Sequence, residues 1–332
     1  MRVHDFALDR ARAGDHAAFA DLTDPYRREL HLHCYRMLGS VTDAEDLLQE
    51  TLTAAWRGLD GFAGDSSLRT WMYRIATHRC LNAIRDSKRR PPLEPAPPFT
   101  PPAPSRCADV TWLQPYSDAW LDELPDQRPG PAERRQMRET VELAFIAALQ
   151  RLPPRQTAAV VLCEVLGFAP IEAAGMLDVT PTVLKGLLQR GRAALDRQPP
   201  ARMHDMPEPG SLAERELARR FADAFSADDI PGVVSLLTDD AWLAMPPAPH
   251  EYQGTAAIAA FLHASASWRP ARHFDLQPIR LNTQPAFTCT LADEPTTILV
   301  LTCDRDRICT VTRFLDPRLP SLLKLTTATH AA

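Results

Sequence analysis

Thr42-Asp43-Ala44-Glu45-Asp46-Leu47-Leu48-Gln49-Glu50, running on to Ala55-Trp56, opens a helix with two opposed faces. Ala44, Leu47, Leu48, Thr51, Leu52, Ala55 and Trp56 recur at the three- and four-residue spacing of one buried helix face. Thr42 and Glu45 are spaced for a capping box, and Asp43 and Glu45 complement the positive end of the helix dipole. Asp46, Gln49, Glu50, Thr53 and Arg57 have no such local duty. They form a polar stripe that faces solvent by default and can dock a protein partner.

A basic segment follows, from Leu68 to Lys88-Arg89-Arg90, in which Arg69, Arg74, Arg79, Arg85, Lys88, Arg89 and Arg90 have only Asp86 among them. Helical spacing predicts that Leu68, Trp71, Met72, Ile75 and the stem of Arg79 turn inward, Trp71 as core. Arg69, Thr70, Tyr73, Arg74 and Thr77 would then face outward. Cations, hydroxyls and a ring on one face can neutralise phosphate and stack an unpaired base, worth about 1–3 kcal/mol per base.

At 332 residues the chain suits two or three domains, and 45% hydrophobic with 24% charged residues is ordinary for folded, soluble protein. The net charge of −5 does not exclude nucleic acid. Counterion release depends on local basic surface and not on the chain total. The seven cysteines show no CxxC pair and no neighbouring histidine pattern, which predicts reduced, mostly buried thiols and neither zinc nor any other cofactor. No apolar run approaches a membrane span and the amino terminus lacks a signal-peptide core, so a cytoplasmic protein without membrane contact is expected.

Proline marks the boundaries. Residues 1–90 read as one helical domain, 91–131 as a proline-rich connector, 132–198 as a second helical domain, 199–211 as a linker, 212–320 as a third domain and 321–332 as a tail. Within the connector, Val110-Thr111-Trp112-Leu113-Gln114-Pro115-Tyr116 is too aromatic for an inert spacer, so Trp112 and Tyr116 should pack on a neighbouring domain.

The second domain is predicted to start near Ala132 with a long amphipathic helix, followed by an apolar helix from Ala158 to Leu166 closed by Gly167. Pro170 to Leu177 reads as a short helix, Asp178-Val179 as a turn, and Thr180-Pro181 as a hydroxyl cap with proline in the first turn of a longer helix. That order makes a helix-turn-helix. Leu184, Leu188, Gly191 and Leu195 are placed inward, and Thr182, Lys185, Gln189 and Arg192 outward, where such modules reach bases and phosphates.

These stretches together resemble the extracytoplasmic-function sigma factors. The resemblance spans roughly Phe19 to Arg197 and is carried by Asp43 to Glu50 with Ala55-Trp56, Ser67-Leu68-Arg69-Thr70-Trp71-Met72-Tyr73-Arg74-Ile75-Ala76, Leu152-Pro153-Pro154-Arg155-Gln156 and Gln189-Arg190-Gly191-Arg192. It implies that Asp46, Gln49 and Glu50 bind the clamp of core RNA polymerase, with the beta-prime and beta subunits as partners. It further implies that Arg69, Tyr73, Arg74, Thr77, Arg85, Lys88 and Arg89 read and open the minus-ten element of promoter DNA. Thr182, Lys185, Gln189, Arg190 and Arg192 would read the minus-thirty-five element. Gly186 departs from the family's usual small polar residue, at a cost of roughly 1 kcal/mol of helix propensity.

Beyond the second linker the pattern changes. Leu212 to Phe225, Ile230 to Leu237 and Thr255 to His263 read as helices. Arg272 to Leu281, Ala286 to Leu291, Thr297 to Cys303 and Arg307 to Phe314 read as strands, with Asp304-Arg305-Asp306 as a hairpin turn. Leu236 to Pro247 with Tyr252-Gln253-Gly254 and Ala257 to Leu262 resembles the SnoaL-like branch of the nuclear-transport-factor-two-like superfamily. The expected fold is therefore multidomain: two all-α domains, a region 2 helical bundle and a region 4 helix-turn-helix, plus a cone-shaped α+β domain.

By that resemblance the third domain modulates sigma activity, and Trp242, Met245, Tyr252, Phe261 and Trp268 are candidates for a pocket holding a small ligand of unknown identity. His250, His273, Asp275 and Asp239 are its titratable groups, and their spacing forms no recognisable catalytic set. A sigma factor is not an enzyme, since the chemistry stays with core polymerase. The alternatives are a helix-turn-helix protein fused to a SnoaL-like isomerase or hydrolase, and a helix-turn-helix regulator that needs no polymerase.

Overall fold

A computed structural model describes residues 2–87, 98–122, 139–197, 208–292 and 294–325. The chain divides into two compact units, one of Met1–Pro91, Ala119–Thr140 and Ala148–Gln198, the other of Pro92–Asp118, Val141–Ala147 and Pro199–Ala332.

The first unit opens with helices α1 (Arg2–Arg12), α2 (His16–Leu38), α3 (Val41–Gly58) and α4 (Leu68–Ser87). Asp15 starts α2 by accepting from the backbone of Ala17 and Ala18. Gly39 ends it at φ 69°, a left-handed conformation natural to glycine, and donates to Tyr35 O at 2.7 Å. The cap of α3 differs from the expected box. Ser40 Oγ accepts from Asp43 N at 3.1 Å, two residues upstream of Thr42, and Glu45 instead accepts from the Gln49 amide at 3.0 Å. The apolar face is as expected, with Ala44, Leu47, Leu48, Thr51, Leu52 and Ala55 buried. Trp56 stacks on His16 with ring centroids 4.3 Å apart.

The unit's later helices are Pro154–Val160, continued by the π-turn Val161–Val165, then Pro170–Met176 and Pro181–Arg197. Residues 132–138 of the helix expected from Ala132 lie outside the described residues, and the described helix there is Leu143–Gln150. The helix-turn-helix forms as anticipated. Asp178 turns the chain at φ 51° and Thr180 Oγ1 accepts from Val183 N at 3.3 Å. Leu184, Leu187 and Gly191 are buried on the second helix, whereas Leu188 and Leu195 are half-buried. Gly191 has a packing reason, since a Cβ there would stand 2.8 Å from Val160 Cγ2.

In the second unit a seven-stranded sheet runs in the order β1-β3-β2-β7-β6-β5-β4. Its strands are β1 (Arg106–Cys107), β2 (Leu237–Ala244), β3 (His250–Gln253), β4 (Phe274–Leu281), β5 (Gln284–Leu291), β6 (Thr297–Asp304) and β7 (Arg307–Phe314). All neighbours are antiparallel except β2 and β7. Helices Leu212–Ser226, Ile230–Ser235 and Thr255–Trp268 close one apolar core with the sheet, in which Phe221, Leu237, Leu243, Tyr252, Phe287 and Leu301 are buried. Strands β2 and β3 escaped the sequence. The helix expected to reach Leu237 stops at Ser235, and the polar Thr238-Asp239-Asp240 hides β2 because a register shift against β7 between Leu237 and Trp242 breaks the alternation.

Residues 98–118 of the proline-rich connector are ordered within this unit. They supply β1, with Arg106 opposite Glu251 and Cys107 opposite His250, covering the β3 edge. Further on, Ser117 bridges Leu281 in β4, at the opposite end of the strand order. Tyr116 is fully buried, its backbone N–H donating to Asn282 Oδ1 at 2.8 Å, while Trp112 stays 44% exposed.

Cys34, Cys80, Cys289, Cys303 and Cys309 are buried and every cysteine is a free thiol, as expected. Burial pushes the Cys303 thiol up to about 12 and that of Cys309 to about 11. Among the described residues no helix is long and apolar enough to cross a membrane.

Candidate nucleic-acid interface

Asp46, Gln49, Glu50, Thr53 and Arg57 all lie exposed on one side of α3, because the helix commits its other side to α2 and α4. Glu50 reaches Arg79 of α4 at 3.5 Å, and the Gln49 amide donates to Glu45 one turn back at 3.0 Å.

Helix α4 is where the structure corrects the sequence. Tyr73 and Thr77, expected outward, are fully buried with Met72, Ala76 and Cys80. Thr77 Oγ1 donates to Tyr73 O at 2.7 Å and lies 2.9 Å from His33 Nε2 on α2, and Tyr73 Oη donates to Glu29 Oε2 at 3.3 Å. Burial, then the Glu29 charge, pushes the Tyr73 phenol well above its ordinary range, so it remains a neutral donor. Arg69 makes a forked pair with Glu29, its Nη2 at 2.8 Å from Oε2. Its guanidinium also lies 4.8 Å from the Tyr73 ring and 4.9 Å from the Phe168 ring.

The reason is a second packing partner. Phe168, just before the helix-turn-helix, meets the Tyr73 ring edge-on at 5.1 Å. Asp178, in the turn itself, accepts from Arg74 Nη2 at 2.7 Å and stands 3.3 Å from His78 Nε2. A carboxylate therefore occupies the basic face of α4. Glu29, Phe168 and Asp178 were missed by sequence reasoning, and the only sequence signal among them is the left-handed turn position of Asp178. Trp71 does pack inward as expected, against Phe62 at 5.1 Å. Arg85 is exposed beside Asp86 at 3.2 Å, and Lys88 and Arg89 lie outside the described residues.

On the helix Pro181–Arg197, Thr182, Lys185, Gln189, Arg190 and Arg192 are all exposed, and Arg192 pairs with Glu164. Gly186 is half-buried, with Arg190 Nη1 3.2 Å from where a Cβ would be.

In the second unit Met245, Tyr252 and Phe261 are buried in the core, and Trp268 packs against it. Trp242 is a correction. It alternates with the buried Ala241 and Leu243 on β2 and so points to the opposite face, where the Arg106 guanidinium stacks 4.0 Å from its ring. Phe99, a lone aromatic in the proline run that the sequence did not single out, lies 5.6 Å from Phe261 and 6.1 Å from Trp268 by ring centroids. Asp239, Asp275 and His273 are exposed and His250 is half-buried. His273 Nδ1 lies 2.9 Å from Asp228, which the nearly buried Arg269 also holds.

Family profiles match in the same order as these elements: Sigma-70 region 2 over residues 22–90, Sigma-70 region 4 over 142–195, and a SnoaL-like domain over 218–309. The chain is 39% identical over 315 residues to the ECF RNA polymerase sigma factor SigG of Mycobacterium tuberculosis, covering 93% of this chain and 83% of that one. It is 30% identical over 192 residues to SigW of Bacillus subtilis, covering 58% of this chain and 94% of the relative. The crystal structure of the Mycobacterium tuberculosis extracytoplasmic function sigma factor SigJ shares the fold, with a TM-score of 0.59 at 19% identity over 90% of this chain and 97% of that one. With helical regions 2 and 4 followed by a sheet domain, and a relative matched along nearly the whole chain, this protein belongs to the ECF RNA polymerase sigma factors, non-catalytic factors of transcription initiation.

Proposed function

We propose that this sigma factor works in the cytoplasm, engages the core polymerase clamp through Asp46, Gln49 and Glu50, and reads the minus-thirty-five element through Thr182, Lys185, Gln189, Arg190 and Arg192. The minus-ten element is read from α4, with Arg74, Arg85, Lys88 and Arg89 holding phosphate. Arg69 and Tyr73 become available only after Phe168 and Asp178 leave that face, and Thr77 acts by bracing α4 on α2. The described state is thus the closed member of a closed–open equilibrium, and DNA shifts it by binding the open one. The C-terminal domain modulates this equilibrium and is not an enzyme, since its titratable side chains are mostly exposed and His273 is tied to an arginine-held carboxylate.

The observation that supports this best is the contact of Asp178 with Arg74 and His78 on the basic helix. The test is transcription from fragmented genomic DNA by bacterial core polymerase with the full chain, mapping new RNA ends. New starts sharing an upstream motif are expected, and Glu50→Arg should lose them together with at least tenfold of core affinity while its melting temperature holds. Starts that persist unchanged in Glu50→Arg would remove the assignment of the acidic stripe.

A further inference from the structure

The cone of the second unit is walled by residues from 212 onward, yet one of its rings comes from more than a hundred residues earlier. Phe99 packs against Phe261 and Trp268, and Phe261 in turn lies 4.8 Å from the Tyr252 ring. Tyr252 is fully buried, and its hydroxyl donates to Pro102 O at 3.1 Å. A buried hydroxyl that lost this acceptor would be costly. The domain's own chain therefore offers an apolar wall with one inward donor, which is the make-up of a small-molecule site. The connector fills both requirements, the ring with Phe99 and the acceptor with a carbonyl.

We propose that residues 99–102 are an internal occupant of this site, and that a small planar aromatic molecule carrying a carbonyl competes with them for the seat formed by Tyr252, Phe261 and Trp268. Its ring takes the place of Phe99 and its oxygen accepts from the Tyr252 hydroxyl in place of Pro102. Release then reaches the neighbouring strand, because the residues flanking Tyr252 hold β1. Ser105 N donates to Glu251 O at 2.9 Å and Gln253 N donates to Ser105 Oγ at 2.9 Å. Ala108 N donates to Pro249 O at 2.6 Å. Ligand in the seat thus loosens the edge strand that the connector contributes.

An occupant tethered in cis lowers the apparent affinity of any competitor by the fraction of time the seat is empty. If Phe99 is seated about nine-tenths of the time, its removal strengthens binding about tenfold.

The test uses the full chain and prodan, a fluorescent naphthyl ketone, without polymerase or DNA, so its outcome is independent of the sigma assignments above. Phe99→Ala should bind prodan about tenfold more tightly than the natural chain, with a melting temperature lowered by only a few degrees. Adding Tyr252→Phe, which keeps the ring and removes the donor, should take back several-fold of that gain. Prodan should also speed amide exchange at Ser105 and Ala108 in the natural chain. Equal affinity for the natural chain and Phe99→Ala, no binding to either, or binding that leaves exchange at Ser105 and Ala108 unchanged would each overturn the proposal.

Discussion

Asp178 sits at a left-handed turn position and spends its charge on Arg74 and His78. Asparagine tolerates that backbone, so Asp178→Asn removes the charge without refolding the turn. Both Arg74 and Asp178 are about half-exposed, and exposed pairs of this kind contribute about 0–1 kcal/mol. Asp178→Asn should therefore raise affinity for a single-stranded thirty-nucleotide DNA about two- to fivefold at low salt, measured by fluorescence anisotropy, and the gain should shrink as salt is added. At this scale the sequence was readable where one partner decides burial and unreadable where two do. Leu47, Leu48 and Leu52 follow the apolar stripe of α3, but Tyr73 is buried between α2 and Phe168 and Thr77 against α2, and neither neighbour is visible in the local spacing.

Two elements depend on features that a sequence window undervalues. The helix Pro181–Arg197 can lie against Pro154–Val160 because residue 191 has no side chain. Gly191→Ala adds helix propensity but drives a methyl to 2.8 Å from Val160 Cγ2, and the clash should win, lowering stability by about 1–3 kcal/mol in urea titration. Helix α2 carries two histidines that folding keeps neutral. Burial, aided by Arg36 and Arg69, holds His33 down to about 3, and burial holds His31 down to about 4 despite Glu45 nearby, with Arg28 assisting. Unfolded imidazoles titrate near 6.5, so below that pH the unfolded chain takes up protons that the folded one refuses. The stabilising contribution is complete above about pH 6.5 and declines as pH falls toward 4 and then 3. Urea midpoints at pH 7, 6 and 5 should fall steadily, and His33→Gln should flatten that slope whatever it does to the midpoint itself.

For the molecule as a whole, the connector is the part whose nature changed most between sequence and structure. Composition marked it as proline-rich and its aromatic stretch as packed. Its pairing with β3 and its bridge to β4 could not be foreseen, because the partners lie more than a hundred residues away and β3 itself is only four residues long. From β1 to β4 is six strand spacings, about 29 Å if flat, and the eleven residues from Arg106 to Ser117 span at most about 36–40 Å, so the segment is long enough to reach from one end of the strand order to the other. Asn282 holds its far end, accepting from Tyr116 N at 2.8 Å and donating to Val141 O at 2.6 Å from a φ of 54°. Asn282→Gly keeps the backbone and deletes both bonds. It should cost about 1–3 kcal/mol in urea, speed amide exchange at Tyr116, and change the yield of transcripts per bound polymerase. An unchanged yield with a released Tyr116 would mean that the connector carries no part of the modulation proposed for the C-terminal domain.

The pairing of Arg106 with Glu251 also fixes an order in time. The two residues are 145 positions apart, and a ribosome adding about 5–20 residues per second needs roughly 7–30 s to make the second after the first. In the last part of that interval, once residue 197 has been added, the newborn chain has α1 to α4 and the helix Pro181–Arg197 but not the strand that β1 covers. Each new molecule therefore passes once through a youth in which β1 has no strand to pair with, and stalled nascent chains ending near residue 240 should show Ser105 and Ala108 exchanging freely where released full-length chains protect them.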